Sequence, residues 1–387
     1  MQLAIVLRSL TGFALLEMAF LTSSCGSSAS VERTVKIGVI APLTGDSSDI
    51  GKQAREGAQL AEKEVNSLGA ANGKQLKVVI EDSQGDAQQA VLAMRKLVSI
   101  DHVPAVIGDF RSKSILAEAA IANENHVVLI GPTTSAPAIT TAGPYVNRLW
   151  PVDKFEASRF ADWCAANNIR SVAILYINDD YGLGLRDAFT SRFKSAGGQI
   201  TNAIGFGESE TDFKPALSKL AGGKPDAIYI VGFYKNSAIA VRQAREAGIS
   251  AKLLGTTACE DEKFLEIAGK DAEGFLYPIV TGFDPVDPTP EAAAFIGAFR
   301  KEYGSDPNWA GAHYYEGVRL IAHLMSTAGT DGPALQKALL EVHDYRGATG
   351  VVNFDQNGDV VGKPLSIKTV KDGRFTVVAK LQPQTLP

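Results

Sequence analysis

From Thr34 onward the chain alternates between short unbroken apolar runs and longer stretches with one apolar face. TVKIGVI (34–40), QLKVVIED (75–82), the run from Ala105 to Gly108 and the run from Val127 to Ile130 have the length and the Val/Ile content of buried strands. Between them, residues 51–68 place Ala54, Ala58, Ala61 and Val65 on one face of a helix, and residues 87–100 read as a second helix. Strands separated by helices predict a parallel sheet covered on both faces, with right-handed connections.

The rhythm breaks at YVNRLWPVD (145–153) and then restarts. Helices are predicted over 154–168, 181–196, 213–220 and 237–247, and strands over 171–177, 200–206, 227–232, 252–256 and 274–280. A linker rich in Pro and Asp (281–290) leads to helices over 291–303, 310–328 and 332–342, then to a strand-rich end with turns at Asn357-Gly358 and Asp372-Gly373. The predicted fold class is α/β: two Rossmann-like lobes, each a parallel sheet with helices on both faces. If the late helices return to the first unit and the last strands to the second, lobe one is 34–151 plus 283–345 and lobe two is 152–282 plus 346–387. The chain then crosses between lobes near 151, 283 and 346, a three-strand hinge of the kind that closes around ligands. A length of 387 residues, beyond what one core usually organises, agrees with two lobes.

Two strand ends run into polar turns. Ala105–Gly108 gives way to Asp109-Phe110-Arg111-Ser112-Lys113-Ser114, opening a helix over 115–123, and Val127–Ile130 gives way to Gly131-Pro132-Thr133-Thr134-Ser135-Ala136. Carboxyl ends of parallel strands form the usual crevice for a small ligand. Hydroxyl side chains cap helix starts there, and free backbone N–H groups can hold an anion. One helix end contributes only about 0.3–1 kcal/mol toward a negative group, so two turns facing one pocket are needed to grip a carboxylate. Taken singly, either turn is also what an ordinary cap looks like.

A net charge of −5, with Lys and Arg spread evenly and no basic block, argues against a nucleic-acid partner. The Walker loop, the Gly-x-Ser-x-Gly elbow and the His-Glu-x-x-His motif are missing, and the five histidines have no metal-ligand spacing, so neither a catalytic nor a metal site is expected. Gly182-Leu183-Gly184 hints at a dinucleotide fingerprint. It lacks a third glycine, however, and Asn178-Asp179-Asp180-Tyr181 separates it from its strand, which disfavours an NAD-dependent enzyme. Met1 to Leu21 is largely apolar and precedes Thr22-Ser23-Ser24-Cys25, which resembles a bacterial export signal ending at a lipid-modified Cys25; Glu17 and the shortness of the run make a membrane-spanning anchor the weaker choice. Cys164 and Cys259 are expected to be free.

KIGVIAPLTGDSSDIG with GAQLAEKEVN, the turn at 108–114, IGPTTSAPAIT, NDDYGLGLRDAF, VRQAREAGI and VVNFDQNGDV together resemble the type I periplasmic solute-binding proteins of ABC importers, in the branched-chain amino acid and amide receptor branch. The likeness runs from Val35 to Val378. It implies an exported, lipid-anchored monomer that closes two lobes on a small ligand without covalent chemistry or cofactor, and hands it to an ABC permease. It also implies that Ser112, with Phe110 beside it, and Thr133, Thr134 and Ser135 grip a carboxylate or amide, while Tyr181 and Phe233 supply rings from the second lobe.

The chain departs from the family at two places. Thr257 stands at the position of the acid that receives an ammonium group, with Glu260 and Asp261 nearby, and Gly85 and Arg111 stand where the first-lobe disulfide would be. Losing a charged partner for a buried ammonium costs several kcal/mol. An aromatic carboxylate or an amide or urea-like solute is therefore an alternative to an amino acid, and a ligand sensor is an alternative to a transport receptor.

Overall fold

The computed structural model describes residues 34–69, 74–280, 282–285 and 287–381; the export segment and Cys25 lie outside them. The first unit runs β1 (Thr34–Ala41), α1 (Ser48–Ser67), β2 (Gln75–Asp82), α2 (Ala87–Ser99), β3 (Ala105–Ile107), α3 (Ser112–Asn125), β4 (Val128–Gly131) and β5 (Val146–Arg148). Its strands form one wholly parallel sheet in the order β2-β1-β3-β4-β5. Successive side chains enter opposite cores: Ile37, Val39, Ile107 and Ile130 pack on one face, and Ile40, Val106 and Leu129 on the other. Burial on both faces is why these strands read as continuous apolar runs rather than alternating ones.

The second unit continues with α4 (Asp153–Ala166), β6 (Ser171–Ile177), α5 (Asp180–Ser195), β7 (Gln199–Phe206), α6 (Lys214–Ala221), β8 (Ala227–Val231), α7 (Tyr234–Glu246), β9 (Lys252–Leu254), α8 (Glu262–Ala268) and β10 (Leu276–Val280). After α9 (Pro290–Tyr303), α10 (Trp309–Ala328) and α11 (Gly332–Leu340) come β11 (Tyr345–Gly347), β12 (Gly350–Phe354), β13 (Val360–Val361), β14 (Leu365–Lys371) and β15 (Arg374–Leu381). The second sheet has the order β15-β14-β10-β9-β8-β6-β7. It is mixed rather than parallel, because β14 runs antiparallel to β10 and turns back through Asp372-Gly373, both at positive φ, into antiparallel β15.

Residues 345–361, of which 346 onward were expected with the second lobe, form a separate three-stranded sheet, β11-β12-β13. This sheet is fastened to the first unit: the fully buried Arg148 at the end of β5 donates from Nε to Asp359 (2.6 Å), and Glu316 of α10 accepts the Thr349 N–H (3.0 Å). Helices α9–α11 pack on the first unit as well. The Tyr314 hydroxyl lies within hydrogen-bonding distance of the Ile40 and Gly108 carbonyls (2.9 and 3.0 Å), and Gln336 and Asn147 exchange side-chain hydrogen bonds (2.9 Å). The segment after β10 runs beside the turn between β11 and β12, where the Gly282 N–H donates to Thr349 O (3.0 Å).

Helix α1 crosses α10 at a glycine on each side, and a Cβ on Gly57 would overlap the backbone carbonyl of Gly311. Backbone cannot yield as a flexible side chain does. Gly57→Ala is therefore expected to lower stability by about 1–3 kcal/mol despite alanine's better helix propensity, read as the shift in a urea unfolding midpoint. An unchanged midpoint would mean that the two helices separate freely.

Candidate functional site

The turn after β3 is fixed from within. Asp109 is fully buried, and its carboxylate accepts the Ser83 hydroxyl and the Arg111 N–H (2.9 Å). Burial raises its pKa, and these two bonds oppose the rise. Helix α3 starts at Ser112, three residues before the expected start, because tertiary contacts outweigh the preference of Ser for turns. The Ser112 hydroxyl oxygen accepts the N–H groups of both Ser135 and Ala136 (3.3 Å each), so it ties the turn after β4 to the turn after β3. Arg148 Nη1 adds a bond to Ala136 O (2.9 Å), and Thr133 donates to Phe110 O (3.3 Å).

From the second sheet, α5 opens with Asp179 accepting the Gly182 N–H (2.8 Å), and its first turn presents Tyr181, whose hydroxyl donates to Thr256 Oγ1 (2.9 Å). The Tyr181 ring stacks on Phe233 (centroids 5.3 Å apart), and Phe233 meets Phe110 of the first unit edge-on (5.6 Å). Gly182 and Gly184 serve packing. A Cβ on Gly182 would strike the Ile177 carbonyl, and one on Gly184 would strike the Asp153 carboxylate and Pro137.

These groups converge on one cavity. Phe110, Ser112, Thr133 and Ser135 line it from the two polar turns, and Tyr181, Phe233 and Thr257 from the second unit. Thr134 is the exception: its hydroxyl is buried behind the turn against Gly131 and does not reach the cavity. The space measures about 30 Å³, roughly one water's share of liquid volume. The rings from both sides fill the rest. A larger groove of about 880 Å³ lies between α4 and β13, away from both polar turns.

Four lining residues were not anticipated: Trp150, Ala258, Trp309 and Glu156. Glu156 is the most consequential. It lies on the buried stripe of α4 with Asp153, Ala157, Phe160 and Cys164, and a carboxylate on that stripe was a signal available in the sequence. It accepts the Thr257 N–H (3.3 Å), its other oxygen lies 3.0 Å from the Thr257 hydroxyl, and burial raises its pKa to about 7 against these two bonds.

Glu260 and Asp261 are occupied elsewhere. Glu260 is held by Lys368 (2.7 Å) and the Tyr277 hydroxyl (3.0 Å), while Asp261 caps α8 through the Lys263 N–H (2.9 Å) and accepts from Asn308 (3.3 Å). Cys164 and Cys259 are both buried and free. Among the described residues there is no cluster of metal-ligating side chains, and no helix is long and apolar enough to cross a membrane.

A family model described as periplasmic binding protein matches residues 34–374. The chain belongs to that family. Within it the chain falls in the branched-chain amino acid receptor branch of the type I fold, a branch of binding proteins rather than enzymes. It is 29% identical, over 84% of its length and 87% of the relative, to the leucine-, isoleucine-, valine-, threonine- and alanine-binding protein of Pseudomonas aeruginosa. The substrate-binding protein LivJ of the Streptococcus pneumoniae branched-chain amino acid transporter, solved with isoleucine, superimposes with a TM-score of 0.83 at 29% identity, over 90% of this chain and all of that one. A solute-binding protein of an ABC transporter from Rhodopseudomonas palustris, solved with 3,4-dihydroxybenzoic acid, gives 0.82 at 25% identity, over 91% of this chain and 98% of that one.

In this periplasmic binding protein the two units are also bridged at the rim of the cavity. Arg111 and Lys113, from the first unit, both reach Glu208 beyond β7, the lysine at 2.5 Å. Partial burial pushes the Glu208 carboxyl up, but the two cations prevail and hold it below the usual range. The Arg111 guanidinium also lies over the rings of Phe110 and Phe233 (5.1 and 5.0 Å). Glu208 remains partly exposed, so solvent screens the pairing. Glu208→Gln is expected to weaken ligand binding about three- to tenfold, on the scale of about 1 kcal/mol for a screened pair, with the ligand-free melting temperature nearly unchanged. Titration calorimetry at low and high salt checks this; equal affinities for both forms would show that the bridge does not contribute to closure.

Proposed function

We propose that the protein is an extracytoplasmic receptor that traps a small organic carboxylate between a lobe built on β1–β5 with α9–α11 and a lobe built on β6–β10 with β14 and β15, and delivers it to an ABC permease. The observation that carries this reading is the opposition across one cavity of Ser112, Thr133 and Ser135 on one side and Tyr181 and Phe233 on the other. Hydroxyls and the N-terminal amides of α3 suit a carboxylate, and the rings suit an apolar body. The present cavity, at about 30 Å³, is far below the roughly 300–1,000 Å³ of most ligand pockets, so capture requires the lobes to part and reclose with the guest in place of ring-to-ring contact. Cys25, once exported, serves as the lipid anchor, and the receptor works as a monomer.

The relatives' names point to aliphatic amino acids such as leucine and isoleucine. An aromatic carboxylate is the second reading, favoured by Thr257 at the position expected to hold an acid and by the number of rings in the cavity.

Purified protein lacking residues 1–25 should melt at a higher temperature with its ligand, by about 2.7 kcal/mol of added stability at a hundredfold excess over Kd. A panel of aliphatic amino acids, aromatic acids and amides identifies the class, and no shift with any of them removes the receptor reading. Ser135→Ala is expected to weaken binding by about 1–2 kcal/mol with little change in stability, the scale of one hydrogen bond to a charged group. Unaltered affinity would take Ser135 out of the site.

A further inference from the structure

Glu156 is the group in the cavity that the carboxylate clamp leaves unexplained. It is only 4% exposed. The titratable groups facing it are Asp153 on its own helix, Tyr181 of α5, Tyr229 of β8 and Cys259 beside Thr257, and none of them is a cation. Elsewhere Glu260 is paired with Lys368 and Asp359 with Arg148, while Asp109, Glu118 and Asp153 are also buried without an ion pair; of the acids that lack one, Glu156 alone lines the cavity among the described residues. A buried carboxylate without one is expensive, because neutral hydrogen bonds do not replace the lost hydration.

The hydrogens at Thr257 sharpen the point. Its hydroxyl oxygen lies 3.0 Å from both Glu156 Oε2 and the Pro278 carbonyl, and it also accepts the Val280 N–H (3.3 Å). One hydroxyl hydrogen serves one of these acceptors. When it goes to Pro278, Glu156 must carry a proton of its own to keep its contact with Thr257, so the empty cavity suits the neutral acid.

We propose that Glu156 is the counter-charge for the ligand's ammonium group, and hence that the solute is an α-amino acid whose carboxylate lies at Ser112 and Ser135. This rests on the receptor reading above and narrows its ligand class. The acid comes from α4 instead of from the loop that holds Thr257, and the short threonine leaves it room. Tyr181 and Phe233 offer ring faces beside the same cavity, a further attraction for a cation. Asp153 does not line the cavity, and Glu260 and Asp261 are engaged elsewhere, so Glu156 is the one carboxylate among the described cavity-lining residues.

The sign of the pH dependence follows. Burial holds the free acid near a pKa of about 7, the ammonium favours its ionised form, and affinity should therefore rise with pH. If the pKa falls well below the working range on binding, affinity at pH 6 is about tenfold weaker than at pH 8, since only the ionised fraction is competent. About half a proton per ligand is then released at pH 7.

The test uses titration calorimetry of the chain lacking residues 1–25 with L-leucine, L-isoleucine, L-valine and L-alanine, and with 4-methylpentanoate, which is leucine without its amine. Wild type should bind at least one amino acid with the stated pH profile and with proton release, detected in buffers of different ionisation enthalpy. Glu156→Gln should lose at least tenfold in amino-acid affinity, lose the pH dependence and keep its affinity for 4-methylpentanoate. Amino-acid binding by wild type without proton release, or retained in full by Glu156→Gln, would overturn the role of Glu156 and leave the receptor standing. Binding of non-amine carboxylates alone would overturn it as well. Should Glu156→Gln not fold, the wild-type proton count decides by itself. If none of these solutes, nor the aromatic acids and amides of the wider panel, is bound, the receptor reading itself falls.

Discussion

One hydroxyl holds the first unit's half of the cavity together. Ser112 Oγ accepts from the backbones of Ser135 and Ala136, so the ends of β3 and β4 share a single fixed geometry. A neutral hydrogen bond contributes only about 0.5–1.5 kcal/mol to stability. Its importance here is positional: both acceptor sites on the oxygen are used, which leaves the hydroxyl hydrogen as the part still free to be given to a guest. Asp109 beneath the first turn and Arg148 behind the second brace the two loops from outside the cavity. The positions that would touch a ligand are thus kept in place by groups that do not need to touch it.

The protein places its buried charges unevenly. Arg148 with Asp359 joins the first sheet to the small β11–β13 sheet, and Lys368 with Glu260 and Asp284 joins β14 to the loop beyond β9. Both sets sit where the late part of the chain meets earlier elements. Breaking either by removing one partner would strand a charge, a loss of about 3–5 kcal/mol by the usual scale. His313 follows the opposite rule: burial against Trp150 drives its pKa down to about 3, so it is a neutral packing group within an ordinary pH range. Glu156 belongs to neither set: it is a buried acid at the cavity with no cation beside it.

Much of the fold was legible because period and length determine it. The continuous apolar runs of β1, β3 and β4 are the signature of strands buried on both faces, and that signal survives without any knowledge of neighbours. The start of α3 was not legible, since Ser112-Lys113-Ser114 carries turn chemistry and only the distant Ser135 and Ala136 make its helical position favourable. Thr133, Thr134 and Ser135 looked equivalent; the close packing of Gly131 turns Thr134 inward while its neighbours face the cavity. Strands β11–β13 carry the same alternation as β14 and β15, so pattern could not separate them, and it is the Arg148–Asp359 pairing across 211 residues that does. Glu156 was visible as a charge on an apolar stripe, but its meaning depended on Thr257, which lies 101 residues away.

Ring packing sets the balance that a ligand must tip. With Phe233 of the second unit, itself stacked on Tyr181, edge-on to Phe110 of the first, the closed arrangement has cohesion of its own, the pair across the units adding about 0.5–1.5 kcal/mol beyond area burial. Arg111 and Glu208 add a screened contribution at the rim. A guest must replace ring-to-ring contact with contact to its own body, and the exchange is nearly even for an apolar side chain of similar size. On the proposed reading, net preference for the filled state has to come from the polar end, where the Ser112 hydroxyl hydrogen and the start of α3 offer hydrogen bonds to a guest. Under the proposed function, that division of labour would make the polar head decide whether the cleft closes on a solute, and leave the rings to decide which bodies fit.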